Sequence, residues 1–169
     1  MFPLKFAGKT AYFEGGDAAI KALREDAPEA IVATLSNAIQ LADARLSDPS
    51  RLSAPSFGLI VLTDVAGPGF GERHRDLLWR AFHAPVFEQL RNWDGDVIAR
   101  ECEAHDGLHL LSGIDVRLEE GELWVDNRRT NIEAAMVSDP CECGAETIRL
   151  HGLRWLDAVA DAACTAASC

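Results

Sequence analysis

Four side chains in the second half of the chain have the type and spacing to hold a metal ion. Cys102 and His105 form a Cys-x-x-His pair, and Cys141 and Cys143 form a Cys-x-Cys pair followed by Gly144. Zinc takes nitrogen and sulfur donors in a tetrahedron, and structural sites are closed by four protein ligands, commonly four cysteines or three cysteines and a histidine. Two short pairs separated by a hairpin fold together readily, and Gly144 permits the backbone turn that lets both sulfurs of Cys-Glu-Cys-Gly face one ion. His109, inside the apolar run Leu108-His109-Leu110-Leu111, is the reserve ligand, although a histidine so placed is more often a satisfied core residue. With Cys102, His105, Cys141 and Cys143 bound, no coordination position stays open, so the expected zinc is structural. The competing reading makes Cys102 a small core residue, His105 a surface side chain and the Cys-x-Cys pair incidental, since buried free cysteines are common. Cys164 and Cys169 read as bystanders.

A second candidate is the glycine-rich stretch Asp64-Val-Ala-Gly67-Pro-Gly69-Phe-Gly71, which joins an apolar strand to a helix. Backbone N–H groups at a helix N-terminus can hold phosphate, so Asp64, Gly67 and Gly69 are candidate nucleotide-binding residues. The spacing is Gly-x-Gly-x-Gly with no Gly-Lys-Ser/Thr, and a crossover loop is the simpler reading. His74 and His83, with Glu72 and Asp76 nearby, fit a solvated helix face better than an acid/base pair. A Gly-x-Ser-x-Gly elbow and a His-Glu-x-x-His helix are both missing, so hydrolase chemistry has no support. Trp79, Trp93, Trp124 and Trp155 read as core or interface anchors.

The elements that must position these groups fall into two patterns. Up to residue 96, strand-like runs (TAYFEGG, AIVATLS, FGLIVLTDV, PVFEQL) alternate with helical ones (DAAIKALRED, NAIQLADARL, GERHRDLLWRAFHA). Asp17 and Asn37 are the candidate helix caps. Such alternation predicts βαβ crossovers and a largely parallel sheet with flanking helices. From 97 to 150, VIARECE, LHLLSGIDVRLEE and ELWVDN follow one another without helices, with a hairpin turn at Glu120-Gly121, as in a small zinc-clipped β subdomain. From 151 to 169, RWLDAVADAACTAASC reads as a C-terminal helix and tail. The fold class is α/β.

Bulk properties narrow the function. The formal charge of −11 argues against nucleic-acid or anionic-membrane partners, which need a Lys/Arg surplus. No apolar run is long enough to span a bilayer, MFPLKFAGKT lacks a signal-like apolar stretch, and a cytoplasmic location is expected. Five cysteines, an odd number, then suit metal ligands or free thiols better than a disulfide framework.

The order of features from Ile31 to Arg149 resembles phenylacetate–CoA ligases and their relatives in the adenylate-forming superfamily. FGERHRDLLWRAFHAPVFEQL, ARECEAHDGLHL, the hairpin and PCECG carry the likeness, over roughly two-thirds of the chain by element pattern. The resemblance implies a fragment of a large domain that joins a carboxylic acid to AMP and then to coenzyme A, with ATP and magnesium, and with a zinc at the cysteine cluster in some members. It also implies departures. Where members have Tyr-Gly-x-Thr-Glu, this chain has Leu90-Arg91-Asn92-Trp93-Asp94, in which Asp94 alone keeps the carboxylate that helps hold magnesium and ATP. No phosphate loop precedes Ile31, Asp139 lies too near Cys141 to match the ribose-binding Asp, and no lysine follows Lys21. The expectation is a zinc-stabilised binding or accessory module without adenylation of its own. The alternative is one subunit of a split acyl-CoA ligase working with a complementary chain. A homo-oligomer, and a small carboxylate or nucleotide ligand, are the partners these readings allow.

Overall fold

A computed structural model describes residues 8–156. Its first half is built from three successive strand–helix units. Strand β1 (Thr10–Phe13) leads to helix α1 (Asp17–Asp26), β2 (Ala30–Thr34) to α2 (Leu35–Ser47), and β3 (Gly58–Asp64) to α3 (Glu72–Phe82), ending in β4 (Val86–Arg91). All three pairings are parallel, in the order β1-β2-β3-β4. Ile20 and Leu23 of α1, Leu41 of α2, and Leu78 and Phe82 of α3 share one core with Ile31, Leu59 and Val61 of the strands. Crossovers that wind in one direction with one hand leave their helices on one side of the sheet.

Local chemistry sets the helix ends. Helix α2 starts three residues earlier than an Asn37 cap would place it, because the Thr34 Oγ1 accepts the Asn37 N–H at 3.4 Å and serves as the N-cap. At α1 the cap is Gly16, and Asp17 enters the first turn, where its carboxylate meets Arg51 at 2.6 Å. Ala27 and His83 close α1 and α3 in the left-handed conformation, with φ of 43° and 50°.

Beyond β4 the chain changes rule. Strands β5 (Val97–Glu101), β6 (Leu108–Leu110), β7 (Val116–Glu119), β8 (Glu122–Val125), β9 (Arg128–Val137) and β10 (Arg149–Trp155) all pair antiparallel. The described strands form one ten-stranded sheet, β1-β2-β3-β4-β5-β6-β10-β9-β8-β7. The expected largely parallel sheet is thereby corrected. Six of the nine pairings (nine less the three parallel ones) are antiparallel, because strands joined without a crossover helix must reverse direction. The residues from 97 onward continue the same sheet, and Ile98, Leu123, Ile132 and Leu150 share a second core with Leu90 of β4. Arg154 and Trp155, expected to open a terminal helix, lie in β10; the rest of that expected helix, from residue 157, is outside the described residues. The Glu120-Gly121 turn is a hairpin as expected, with φ of 53° and 90°.

Helix α3 is bound to the sheet by a buried polar group as well as by its apolar face. Arg75 Nη1 donates to the Val86 carbonyl at 3.0 Å, and Nη2 donates to Glu101 Oε2 at 3.1 Å. The same Glu101 oxygen accepts the Glu88 N–H at 2.8 Å, while Glu88 Oε1 accepts the Thr63 hydroxyl at 2.8 Å. Burial pushes the Glu88 carboxyl up to about 7; the Thr63 hydroxyl and Arg75 oppose the rise, and Glu101 adds to it.

Two measurable consequences follow from this packing. A Cβ on Gly58 would lie 2.6 Å from the Pro85 carbonyl oxygen and 3.1 Å from the Phe87 ring, so Gly58→Ala must push β3 and β4 apart. A loss of about 1–3 kcal/mol is expected, read as a lower urea midpoint at unchanged slope. For Glu88, a folded pKa above the unfolded value means that its stabilising contribution is complete below 4.5 and is lost as pH rises through about 7. Glu88→Gln, neutral throughout, should therefore gain on the wild type between about pH 5 and about pH 8, by up to ~3 kcal/mol in paired urea titrations. An equal difference at the two pH values would contradict the assignment.

Candidate metal centre

Cys102 follows β5 directly, His109 is the middle residue of β6, and Cys141 and Cys143 lie on the loop between β9 and β10. Since β6 and β10 are neighbours in the sheet, that loop lands beside the end of β5. The Cys141–Ala145 turn is closed by Gly144 N–H donating to the Cys141 carbonyl at 2.8 Å and Cys141 N–H donating to the Ala145 carbonyl at 3.1 Å. Gly144 has φ of 83°, the left-handed conformation this knuckle requires.

These four residues each offer one donor atom, and the atoms all lie within 4.8 Å of one another. Cys102 Sγ is 3.6 Å from Cys141 Sγ, and Cys143 Sγ is 3.6 Å from His109 Nε2. Tetrahedral zinc with ordinary Zn–S and Zn–N bonds places its donors roughly 3.5–3.8 Å apart, so these separations suit a single ion. His109 is buried, and its Nδ1 lies 2.7 Å from Thr147 Oγ1, which leaves Nε2 turned to the thiols. Burial, with Arg149 and Arg100 nearby, lowers the His109 pKa and favours the neutral imidazole that metals bind.

The histidine that joins the three cysteines is the reserve, not the one in the short motif. His105 closes the turn that begins at Cys102, donating its N–H to the Cys102 carbonyl at 3.1 Å, with φ of 52°. Its ring stacks on Phe87 with centroids 5.0 Å apart, and its Nδ1 is 3.0 Å from Glu101 Oε1. The expected pairing of Cys102 with His105 is corrected on that ground: the left-handed turn sends the ring to β4. Strand alternation sends His109 to the face opposite the core residue Leu108. That alternation was visible in Leu-His-Leu and is the signal that favours His109.

The thiols are crowded. Burial pushes the Cys102 thiol up to about 12, with the Ala104 N–H opposing and the neighbouring thiols of Cys141 and Cys143 adding to the rise. Cys141 is also opposed by burial, yet the hydrogen bonds of Cys143 and Cys102 and the charge of Arg149 bring it below the ordinary thiol value. Arg149, 2% exposed, donates Nη1 to the Asp106 carbonyl at 2.9 Å and to the Asp106 carboxylate, and Nη2 to the Asp139 carbonyl at 2.9 Å. Arg149 and Thr147 were not anticipated from the sequence; a lone Arg and Thr beside Cys-x-Cys carry no spacing signal. This Cys/His cluster could bind a metal ion.

The candidate nucleotide residues are arranged differently. Asp64, at the end of β3, holds Arg91 Nε at 2.8 Å and Nη2 at 2.9 Å in a two-pronged ion pair. Gly67 closes a turn onto the Asp64 carbonyl at 2.9 Å. Gly69 lies under Trp155, whose ring would meet an added Cβ at 2.8 Å. Asp94 sits on the β4–β5 turn, where Asn92 Oδ1 accepts the N–H groups of Asp94 and Asp96 at 3.0 and 2.9 Å. With Asp64, Arg91 and Trp93, Asp94 lines a shallow cleft of about 400 Å³.

No family model matches the chain, and no curated protein does. Solved structures do. A 2-hydroxyisobutyryl-CoA ligase in complex with 2-HIB-AMP and CoA, in the thioesterification state, superimposes with a TM-score of 0.61 at 18% identity, covering 84% of this chain and 35% of the ligase. Its open conformation gives 0.58 at 19% identity, covering 79% of this chain and 35% of that one. Coronafacic acid ligase from Pectobacterium brasiliense gives 0.58 at 12% identity, over 82% of this chain and 32% of that one. The chain thus shares the fold of about one third of each of these ligases, and spans only that share of their length.

Proposed function

We propose that this chain is a zinc-stapled domain of ligase-like fold that serves as a binding or accessory module and does not itself form acyl-adenylates. The observation that carries the zinc reading is the approach of Cys102, His109, Cys141 and Cys143 donor atoms to within 4.8 Å of one another. Zinc in that tetrad supplies a cross-link rather than a reactive centre, because four protein ligands leave no position for water or substrate. Three thiolates around a divalent ion leave one net negative charge, and buried Arg149 balances it. The spacing of these ligands also favours the phenylacetate–CoA ligase branch as the source of the fold.

The accessory reading is supported at the carboxyl ends of β3 and β4. There Asp64 and Arg91 neutralise each other, and Gly69 is packed under Trp155. Adenylation depends on donors and cations aimed at the phosphates, and these residues offer few. A second reading, one subunit of a split acyl-CoA ligase using ATP, magnesium and coenzyme A, is favoured by the match to one third of complete ligases whose solved forms hold 2-HIB-AMP and CoA. A cytoplasmic setting and self-association are compatible with either.

Purified protein should carry about one zinc per chain, the count for one four-ligand site. Cys141→Ser should remove the metal and lower stability by several kcal/mol, because metal binding is linked to folding. His109→Ala should lose zinc and His105→Ala should keep it. Zinc-free protein isolated without chelators, or the reverse histidine result, would sink the assignment.

Carboxylate-dependent ATP–pyrophosphate exchange should stay at background with aryl and fatty acids, since the loss of even one transition-state donor typically costs about 3 kcal/mol. Exchange that disappears in Asp94→Ala would overturn the accessory reading and favour the ligase one.

A further inference from the structure

One cleft among the described residues is lined neither by the four residues of the Cys/His cluster nor by the β4–β5 turn. It measures about 770 Å³ and runs along α3, over β4 and β5, to the His105–Gly107 loop and β10. That volume is in the range of small-molecule sites. Its floor holds Glu88, 5% exposed, whose Oε1 is satisfied by Thr63 while Oε2 lies 3.7 Å from Arg75 Nη2, outside hydrogen-bond range. On the β10 side, His151 Nε2 is buried without a hydrogen-bond partner and 3.5 Å from Asp106 Oδ1.

Carboxylates outnumber cations in the cleft. Its carboxylates are Glu72, Asp76, Glu88, Glu101 and Asp106, against a single permanent cation, Arg75. Both terminal nitrogens of Arg75 are engaged, by Val86 O and Glu101 Oε2, and its guanidinium lies over the Phe70 ring at 4.6 Å from the centroid. Arg75 is thus already turned toward Val86, Glu101 and Phe70, whereas Glu88 Oε2 accepts no hydrogen bond from Arg75. These carboxylates do not converge as metal ligands do, because among the described residues only the Cys/His tetrad does so. Apolar walls complete the cleft: Phe70, Val86, Leu108 and Leu153, with Trp79 at the rim, 54% exposed.

From this geometry we infer that the α3 cleft binds a small organic cation, an ammonium group on an aromatic or apolar body, with the ammonium on Glu88 and the body between Phe70 and Trp79. The inference rests on the reading of the chain as a binding module and names the ligand class of that module. A charge-assisted hydrogen bond to a buried carboxylate is stronger than a neutral one, and an aromatic face adds to the attraction of a cation. Burial holds Glu88 near neutrality in the free protein, so a bound cation favours its ionised form. Arg75 from α3, Glu101 from β5, His105 and Asp106 from the loop and His151 from β10 also face the cleft. Ionised Glu88 holds a cation more strongly than neutral Glu88, so binding should strengthen as pH rises.

The test is isothermal titration of the zinc-loaded full chain with 2-phenylethylamine, 2-phenylethanol and phenylacetate, three probes of one shape and different charge. The amine should bind, the alcohol and the acid should not, and amine affinity should rise between about pH 6 and about pH 8 as Glu88 ionises. Glu88→Gln should weaken the amine roughly tenfold, the loss of one charge-assisted contact. Trp79→Ala, on the exposed face of α3, should weaken it without disturbing the fold. Amine binding that is absent, that is matched by phenylacetate, or that is unchanged in both variants overturns the inference. Zinc content and pyrophosphate exchange measured on the same preparation separate the two readings. A zinc-loaded, exchange-inactive protein that ignores the amine defeats this inference alone, and an exchange-active one defeats the module reading whatever the amine does.

Discussion

One buried cation holds the second half of the molecule together. Arg149 opens β10, and its guanidinium reaches the Asp106 carbonyl and carboxylate on one side and the Asp139 carbonyl on the other. It therefore ties three segments that are distant in sequence: the loop after Cys102, the approach to Cys141, and β10 itself. A charge this deep is unfavourable unless it is paired, so the fold is favoured where these partners assemble around it. The cysteine cluster sits where that assembly brings the segments together. The charge of Arg149 also opposes the cost of placing ionised sulfur in the interior.

That ion pair in turn depends on the order of the sheet. β10 is inserted between β6 and β9, so the last strand pairs with one formed some forty residues earlier and with the one just before it. The meander β7-β8-β9 is left as the far edge, and the Cys141–Ala145 knuckle falls at the end of β6 and β10. Within this site His109 is held by main-chain pairing of β6 with β5 and β10. Thr147, against His109 Nδ1, fixes the ring. The histidine is thus oriented by a residue that would touch no metal, the usual arrangement for imidazole ligands.

The parallel half contributes a different kind of order. Its strands are nearly all apolar because both faces are buried, one under the helices and the other in a cluster of Ala30, Val32, Ile60 and Phe87, and most of the polar groups admitted there are paired. Asp64 is matched by Arg91, and Thr63, Glu88 and Glu101 form one network with Arg75. The first pairing closes the end of β3, next to the glycine-rich stretch at Gly67 and Gly69. The second opens a carboxylate-lined cleft along α3. Both follow from a few charged residues in mostly apolar strands, Asp64 in GLIVLTD and Glu88 and Arg91 in VFEQLR.

The alternation of strands and helices up to Arg91, the hairpin at Glu120-Gly121 and the three cysteines of the cluster were legible in the amino-acid sequence. Each rests on local periodicity, a turn preference or ligand type. Strands β9 and β10 were not, because Arg128–Val137 and Arg149–Trp155 mix charged, glycine and apolar residues without a clean period. Their strand character comes from partners far along the chain, and the antiparallel majority of the sheet follows from the same pairings. The choice of histidine was also beyond the motif. Cys-x-x-His placed His105 nearer to Cys102 in sequence, but its left-handed backbone aims the ring at Phe87. Sequence determined which residue types could meet. Tertiary structure decided which ones do, since a side chain's direction is set by backbone hand and strand register, and register is settled only when remote strands pair.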